Sequence, residues 1–251
     1  MVKSDADLWS AAEVFRIFST SFIAPPQPMI TLAPDNDAAA ITIKVTNPEP
    51  GEGDPEVMYN DIYRKVPGGE WIRIIQAVEP DGEAVDYTPG HNITYEYKAV
   101  AHGVNYGTSE SEPASVSVNF AGWVILTPLD APAEQIKVRY NISRDLAIEP
   151  EVVLHHFAGR TKPVSFTGEA TTKQLNLQFA FNAWDAAGHA LLNNFEAMAE
   201  RGTTVLYRTG HLHERNRRMF GVITQPSINE ADTSIWTVSL TFIETDHREE
   251  V

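Results

Sequence analysis

Cysteine is missing from all 251 residues. That absence removes disulfides, thiolate metal sites and cysteine nucleophiles together. The chain must hold by core packing alone, and it is long enough to do so. No apolar run approaches the length of a membrane-crossing helix. The opening MVKSDADLWSAAEVFRIF lacks a basic start, a continuous apolar stretch and a small-residue cleavage site, so no secretory leader is expected. There is no G-x-S-x-G nucleophile turn and no Gly-rich phosphate loop; VPGGE at 66–70 reads as a hairpin turn. Basic residues are scarce, 19 against 34 acidic, for a net charge of −15. Such a surface repels phosphates and anionic lipid, so neither nucleic acid nor a membrane is an expected partner of the chain as a whole. These absences lead to the expectation of no enzyme activity and no cofactor.

What is present is a composition of 43% hydrophobic and 21% charged residues, typical of a soluble globular chain. Residues 1–27 read as an extension. Ser4 or Asp5 is placed to cap a short helix from Leu8 to Phe18. A helix this short is marginal alone, so Trp9, Phe15 and Phe18 are expected to dock it, either on its own protein or on a neighbour. The stretch APPQP (Ala24–Pro28) ends it in an extended hinge.

Residues 28–118 carry alternating runs at Ile41–Val45, Val57–Arg64, Trp71–Ile75, Ile93–Val100 and Ala114–Val118. Turn-rich segments NPEPGEGDP, VPGGE, EPDGE and NYGTSES lie among them. The pattern predicts an antiparallel β-sandwich. The segment resembles a fibronectin type III domain. The match rests on the proline-rich entry, the strand AAAITIKVT, Tyr63 and Trp71 in the central strands, and the run from Tyr87 to Val118. The resemblance implies a corner tyrosine that bonds backward, for which Tyr95 and Tyr97 are both candidates.

Residues 119–251 read as a second β-rich unit. Strands are expected at Gly122–Thr127, Gln135–Ser143 and Val152–Phe157, with a fourth within FAGRTKPVSFTGEATTKQLNLQFAF. One helix follows near 185–201, with Asp185 a candidate cap and Leu191, Leu192, Phe195, Met198 and Ala199 as its apolar stripe. Three more strands are expected at Val205–Arg208, Arg218–Ile223 and Ile235–Glu244. The last alternates Trp236, Val238, Leu240 and Phe242 with Thr237, Ser239, Thr241 and Ile243. The predicted fold is therefore mainly β, with one helix packed against an antiparallel sheet.

This half resembles the tube-like domains of distal tail and minor tail proteins of long-tailed bacteriophages. The matching residues are Gly159, Arg160, Pro163 and Val164; Val205, Leu206 and Arg208; Arg218, Phe220, Gly221, Val222 and Ile223; and Phe242, Ile243 and Glu244. The resemblance implies a structural virion protein of the tail tip or baseplate, made in the host cytoplasm. It implies self-association into a three- or six-fold ring beside tail tube, tape-measure or baseplate hub proteins, with genomic DNA only as passing cargo. The rival reading is a host cell-wall or glycan-binding adhesion module.

The loop Thr209–Arg217 is polar and lies between strands, and is expected to order against an adjacent subunit or the next ring. Its candidate contact residues are His211, His213, Arg215 and Arg217, with Arg218 beside it. His211 and His213 would share one face of a strand, the geometry of a metal pair, but no third ligand is tied to them by spacing, so no metal is expected. His155 and His156 point to opposite faces of a strand. Glu83 and Asp86 form an acidic pair of the kind any acidic chain contains. Trp71, Tyr63, Tyr87, Tyr95 and Tyr97 are candidates for either a sugar-stacking face or core packing.

Overall fold

The computed structural model describes residues 23–182, 186–210, 217–230 and 235–249. The expected helix at 8–18, with Trp9, Phe15 and Phe18, lies outside them, as do His211, His213, Arg215 and Asp185. The fold is mainly β. It holds three antiparallel sheets and, among the described residues, one α-helix. That helix is neither long nor apolar enough to cross a membrane.

The first two sheets form the sandwich. Strands β1 (Met29–Asp35), β2 (Ala40–Thr46) and β5 (Glu83–Asp86) pair in the order β1-β2-β5. Facing them are β3 (Val57–Lys65), β4 (Ile72–Val78), β6 (Tyr95–Gly103) and β7 (Thr108–Glu110), in the order β4-β3-β6-β7, with β8 (Ala114–Val116) also on β6. Alternation sets the core. Ile41, Ile43 and Val45 point inward from one sheet, and Ile62, Tyr95, Tyr97 and Ala99 from the other. Three strands had no sequence expectation: β1, β5 and β7. The first is interrupted by Pro34, and the other two are only four and three residues long.

The third sheet has seven strands. They are β9 (Val124–Pro128), β10 (Ile136–Val138), β11 (Ser143–His155), β12 (Val164–Asn182), β13 (Val205–Thr209), β14 (Arg218–Asn229) and β15 (Ile235–Glu244). Their order is β10-β9-β13-β14-β15-β12-β11. The helix α1 (Ala186–Arg201) buries Gly188, Leu192, Phe195 and Met198 along one stripe. It covers the sheet face that presents Leu175, Leu177, Phe179 and Phe181 from β12. Phe195 meets Phe179 edge-on, with centroids 6.0 Å apart.

Three sequence expectations change. The single strand over Gln135–Ser143 is two strands, because Asn141 takes a left-handed φ of 51° and turns the chain between β10 and β11. The strand at Val152–Phe157 belongs to the much longer β11, which begins at Ser143 and stops at His155. Likewise β14 runs past Ile223 to Asn229, through an irregularity between Thr224 and Ser227 that carries Pro226 across the ladder.

The two halves are not joined by a loose linker. Phe120 and Ile125 are buried in the sandwich core, while Val124 and Leu126 are buried beneath the helix. Strand β9 thus sends alternate side chains into two different cores.

Candidate functional site

Two places concentrate features that sheet formation alone does not require: a projecting hairpin and the seam between the halves.

Strands β11 and β12 pair continuously from Ser143↔Gln178 to His155↔Val164, apart from a bulge between Pro150 and Val152. Strand β15 supports β12 only from Gln174 to Asn182. Beyond that point the hairpin leaves the sheet as a two-stranded arm about 30 Å long. The turn is closed by Arg160 N–H donating to Phe157 O (3.2 Å), with Gly159 at φ 83° where a side chain would be strained. Among the described residues no layer covers the arm. Ile148, Val152, Val153, Leu154, Phe157 and Phe166 are each 44–57% exposed. His155 packs edge-on against Phe166, centroids 5.2 Å apart, and its ring centroid lies 6.3 Å from that of Phe157. Between Ser143 and Lys173 four acidic residues (Asp145, Glu149, Glu151, Glu169) meet four basic ones (Arg144, Arg160, Lys162, Lys173). The arm is neutral on a chain of charge −15.

Opposite the helix, the sandwich covers the sheet at β9 and β13, whereas over β12 and β15 that face is polar and has no covering layer among the described residues. Asn176, Gln178, Ser239 and Thr241 line a hollow of about 360 Å³ there, with Ser143, Asp145 and Gln225 at its rim. Thr241 Oγ1 donates to Asn176 Oδ1 at 3.0 Å.

At the seam, Arg208 is fully buried on β13, the cross-strand partner of Ile125. It donates to Ala39 O (2.8 Å), Pro89 O (2.9 Å), Thr127 Oγ1 (3.0 Å) and Gln135 Oε1 (2.9 Å), and lies over the Phe120 ring. None of these four acceptors is a carboxylate. Burial lowers its pKa to about 9, against the more distant pull of Asp86.

A second cluster lies nearby. Arg64, 1% exposed, donates to Asp86 Oδ2 (2.6 Å), Thr88 Oγ1 (2.6 Å) and Glu249 Oε1 (2.6 Å). Asp86 also accepts from Thr88 N–H, Thr88 Oγ1 and the Tyr97 hydroxyl (2.8 Å). Burial opposes both charges, yet Asp86 and Glu249 hold Arg64 above its ordinary pKa. Arg64 and these hydrogen bonds in turn hold Asp86 below its own. Burial and the Asp86 charge push the Tyr97 phenol well up. Arg218 completes the group. Its Nε donates to Thr88 O (2.9 Å) and its Nη2 pairs with Glu249.

The sequence-predicted residues fare unevenly. Arg218 turns inward onto Thr88 and Glu249 rather than outward. Arg217 O accepts from Thr209 N–H (3.0 Å) and closes the base of its loop. The loop's first two residues are not free, contrary to the expectation for 209–217. Thr209 and Gly210 are buried. Gly210 N–H bonds Trp123 O and Gly210 O accepts from Gly122 N–H. A Cβ on Gly210 would approach Phe120 O to 2.6 Å, so only glycine fits. Tyr95, not Tyr97, is the tyrosine that bonds back to the backbone. Its hydroxyl accepts from Gly90 N–H at 3.1 Å. Tyr63 and Trp71 lie on the outer sandwich face under lysines; Lys98 is 5.5 Å from the Tyr63 centroid, and Lys65 is 4.6 Å from that of Trp71. Among the described residues no group of three His, Asp or Glu is placed to hold a metal.

Sequence reasoning missed the roles of Arg64, Arg208 and Glu249. The one available signal was VLYRT, a strand too apolar on both faces to border solvent, with an arginine inside it. The chain matches no known family model and no curated protein in sequence.

Proposed function

We propose that this protein is a structural component of a long-tailed bacteriophage virion, placed near the tail tip or baseplate. It assembles there as a closed ring of identical copies, three- or six-fold. The observation that carries this reading is the bare β11–β12 arm. An exposed two-stranded ribbon is marginal in water by itself, and this one displays six large apolar side chains with nothing among the described residues to cover them. Net neutrality along the arm lets it approach a second copy of a chain that is otherwise self-repelling. A head-to-tail contact of this kind closes into a ring when the rotation divides a circle.

Three further features support the reading. The residue pattern of the C-terminal half resembles tail-tube-like domains. The helix covers one face of the sheet, and over β12 and β15 the other face is rich in hydroxyls and amides, suited to an open channel through which DNA passes without sticking. The sandwich sits beside the sheet, where it can project outward. In this reading the neighbours are tail tube, tape-measure or hub proteins, and no reaction is performed.

The test is the mass in solution and the electron-microscopic image of the purified chain at high concentration, beside a variant with Leu154, Phe157 and Phe166 replaced by serine. Rings of the parent and a folded monomeric variant are expected. A variant that still forms rings would overturn the assignment of the arm, and a parent that stays monomeric over the whole concentration range would overturn self-assembly.

A further inference from the structure

The Arg64–Arg218 cleft has the construction of a receptor rather than of a simple ion pair. After β15 ends at Glu244, the chain runs on without regular structure to Glu249. Thr245 N–H is held by Phe220 O (2.9 Å), and the His247 ring lies on Phe220, centroids 4.6 Å apart. The segment then sets one carboxylate between two guanidinium groups from different halves of the molecule. Arg64 comes from the sandwich and Arg218 from the seven-stranded sheet. Both ion pairs end on the same oxygen, Oε1, whereas an arginine fork is built to grip both oxygens of a carboxylate. Hollows of about 380 and 520 Å³ lie against the segment, and both are lined by Phe220, His247, Arg248 and Glu249.

The rest of the wall is preorganised without the segment. Arg64 Nη1 is fixed by Asp86 and Thr88, and Arg218 Nε by Thr88 O. The two Nη2 groups are left to whatever carboxylate enters, and Glu249 is the one present.

We infer that this cleft is a recognition site for an acidic, extended peptide segment, which places a carboxylate between Arg64 and Arg218 and a ring on Phe220. The chain's own residues 245–249 are its built-in, displaceable occupant. An entering segment exchanges one carboxylate for another, so the seam keeps its charge balance. This inference does not depend on the ring reading.

The experiment uses the full chain carrying Glu249→Ala and a fluorescent peptide of its own terminal sequence, TDHREEV. Peptide anisotropy is expected to report binding at least tenfold tighter than to the parent chain, whose own tail competes. Binding is expected to disappear when both peptide glutamates are replaced by glutamine, and when Arg218→Gln is added to the protein. Equal binding to parent and variant, or equal binding of the glutamine peptide, would overturn the inference. A second measurement needs no variant. Excess peptide added to the parent chain is expected to speed amide exchange over 245–249, and unchanged exchange at millimolar peptide would overturn displacement.

Discussion

Arg208 donates a 2.8 Å hydrogen bond to the carbonyl of Ala39, 169 residues earlier in the chain. One side chain from the seven-stranded sheet thereby satisfies a backbone group in the turn between the first two strands of the sandwich. A buried guanidinium with no carboxylate in contact survives only where several oxygens share its charge. Here two carbonyls, a hydroxyl and an amide do so.

Replacing Arg208 with methionine keeps much of the volume and removes every donor. The orphaned carbonyls of Ala39 and Pro89 are then buried without partners, at about 2–4 kcal/mol in total. Urea unfolding of the parent is expected to show one cooperative transition by both tryptophan fluorescence and circular dichroism. Arg208→Met is expected to lower the midpoint and separate the two probes. Coincident curves with an unshifted midpoint would show that the seam carries no coupling.

His91 gives the seam an acid limit. Its Nδ1 accepts from Phe120 N–H at 3.0 Å, so protonation there destroys the bond. Burial lowers its pKa below the ordinary 6.5. The unfolded chain therefore takes up the proton first. Stability from this group is fully present above about pH 6.5 and falls as pH drops below it, by at most ~1.4 kcal/mol per pH unit. In His91→Gln, whose amide oxygen can still accept from Phe120 N–H, the loss between pH 7 and 5 should be smaller. Identical slopes in urea titrations would remove His91 from the account.

Tyr95 and Tyr97, whose rings meet edge-on, should differ. Tyr95→Phe loses one neutral acceptor for Gly90 N–H, about 1 kcal/mol. Tyr97→Phe removes a donor from the buried Asp86 carboxylate, where bonds to charge are stronger, about 2 kcal/mol. Denaturation midpoints of the two variants should fall in that order.

Residues 211–216 can be tested apart from their anchors. Replacing them with Asn-Gly keeps Gly210 against Phe120 and lets Thr209 still meet Arg217 across a tight turn. Stability within about 0.5 kcal/mol of the parent is expected, together with loss of ring formation. Full assembly would show that this loop takes no part.

Much of the architecture was legible because it rests on period. The alternation at Trp236–Phe242 and the stripe through Leu192, Phe195 and Met198 are local patterns, and each survives in the fold. Strands β5 and β7 were not legible, since so few residues carry no period and their partners fix them. The arm was only half legible. Its strands read as strands, but alternation does not say where the supporting partner stops. The seam was illegible for a different reason. Arg64, Asp86, Arg208 and Glu249 are far apart in sequence, and a charged residue in a strand reads as solvated until the opposing half is in place.

Strand β9 turns Val124 and Leu126 to one core and Ile125 to the other. The sandwich is therefore not a cassette. A foreign domain spliced in at 118–119 would face a sheet missing the lid over Ile125 and two of the four acceptors of Arg208, the carbonyls of Ala39 and Pro89. Recombination that keeps this sheet has to keep its sandwich too, or rebuild both sides of a single strand at once.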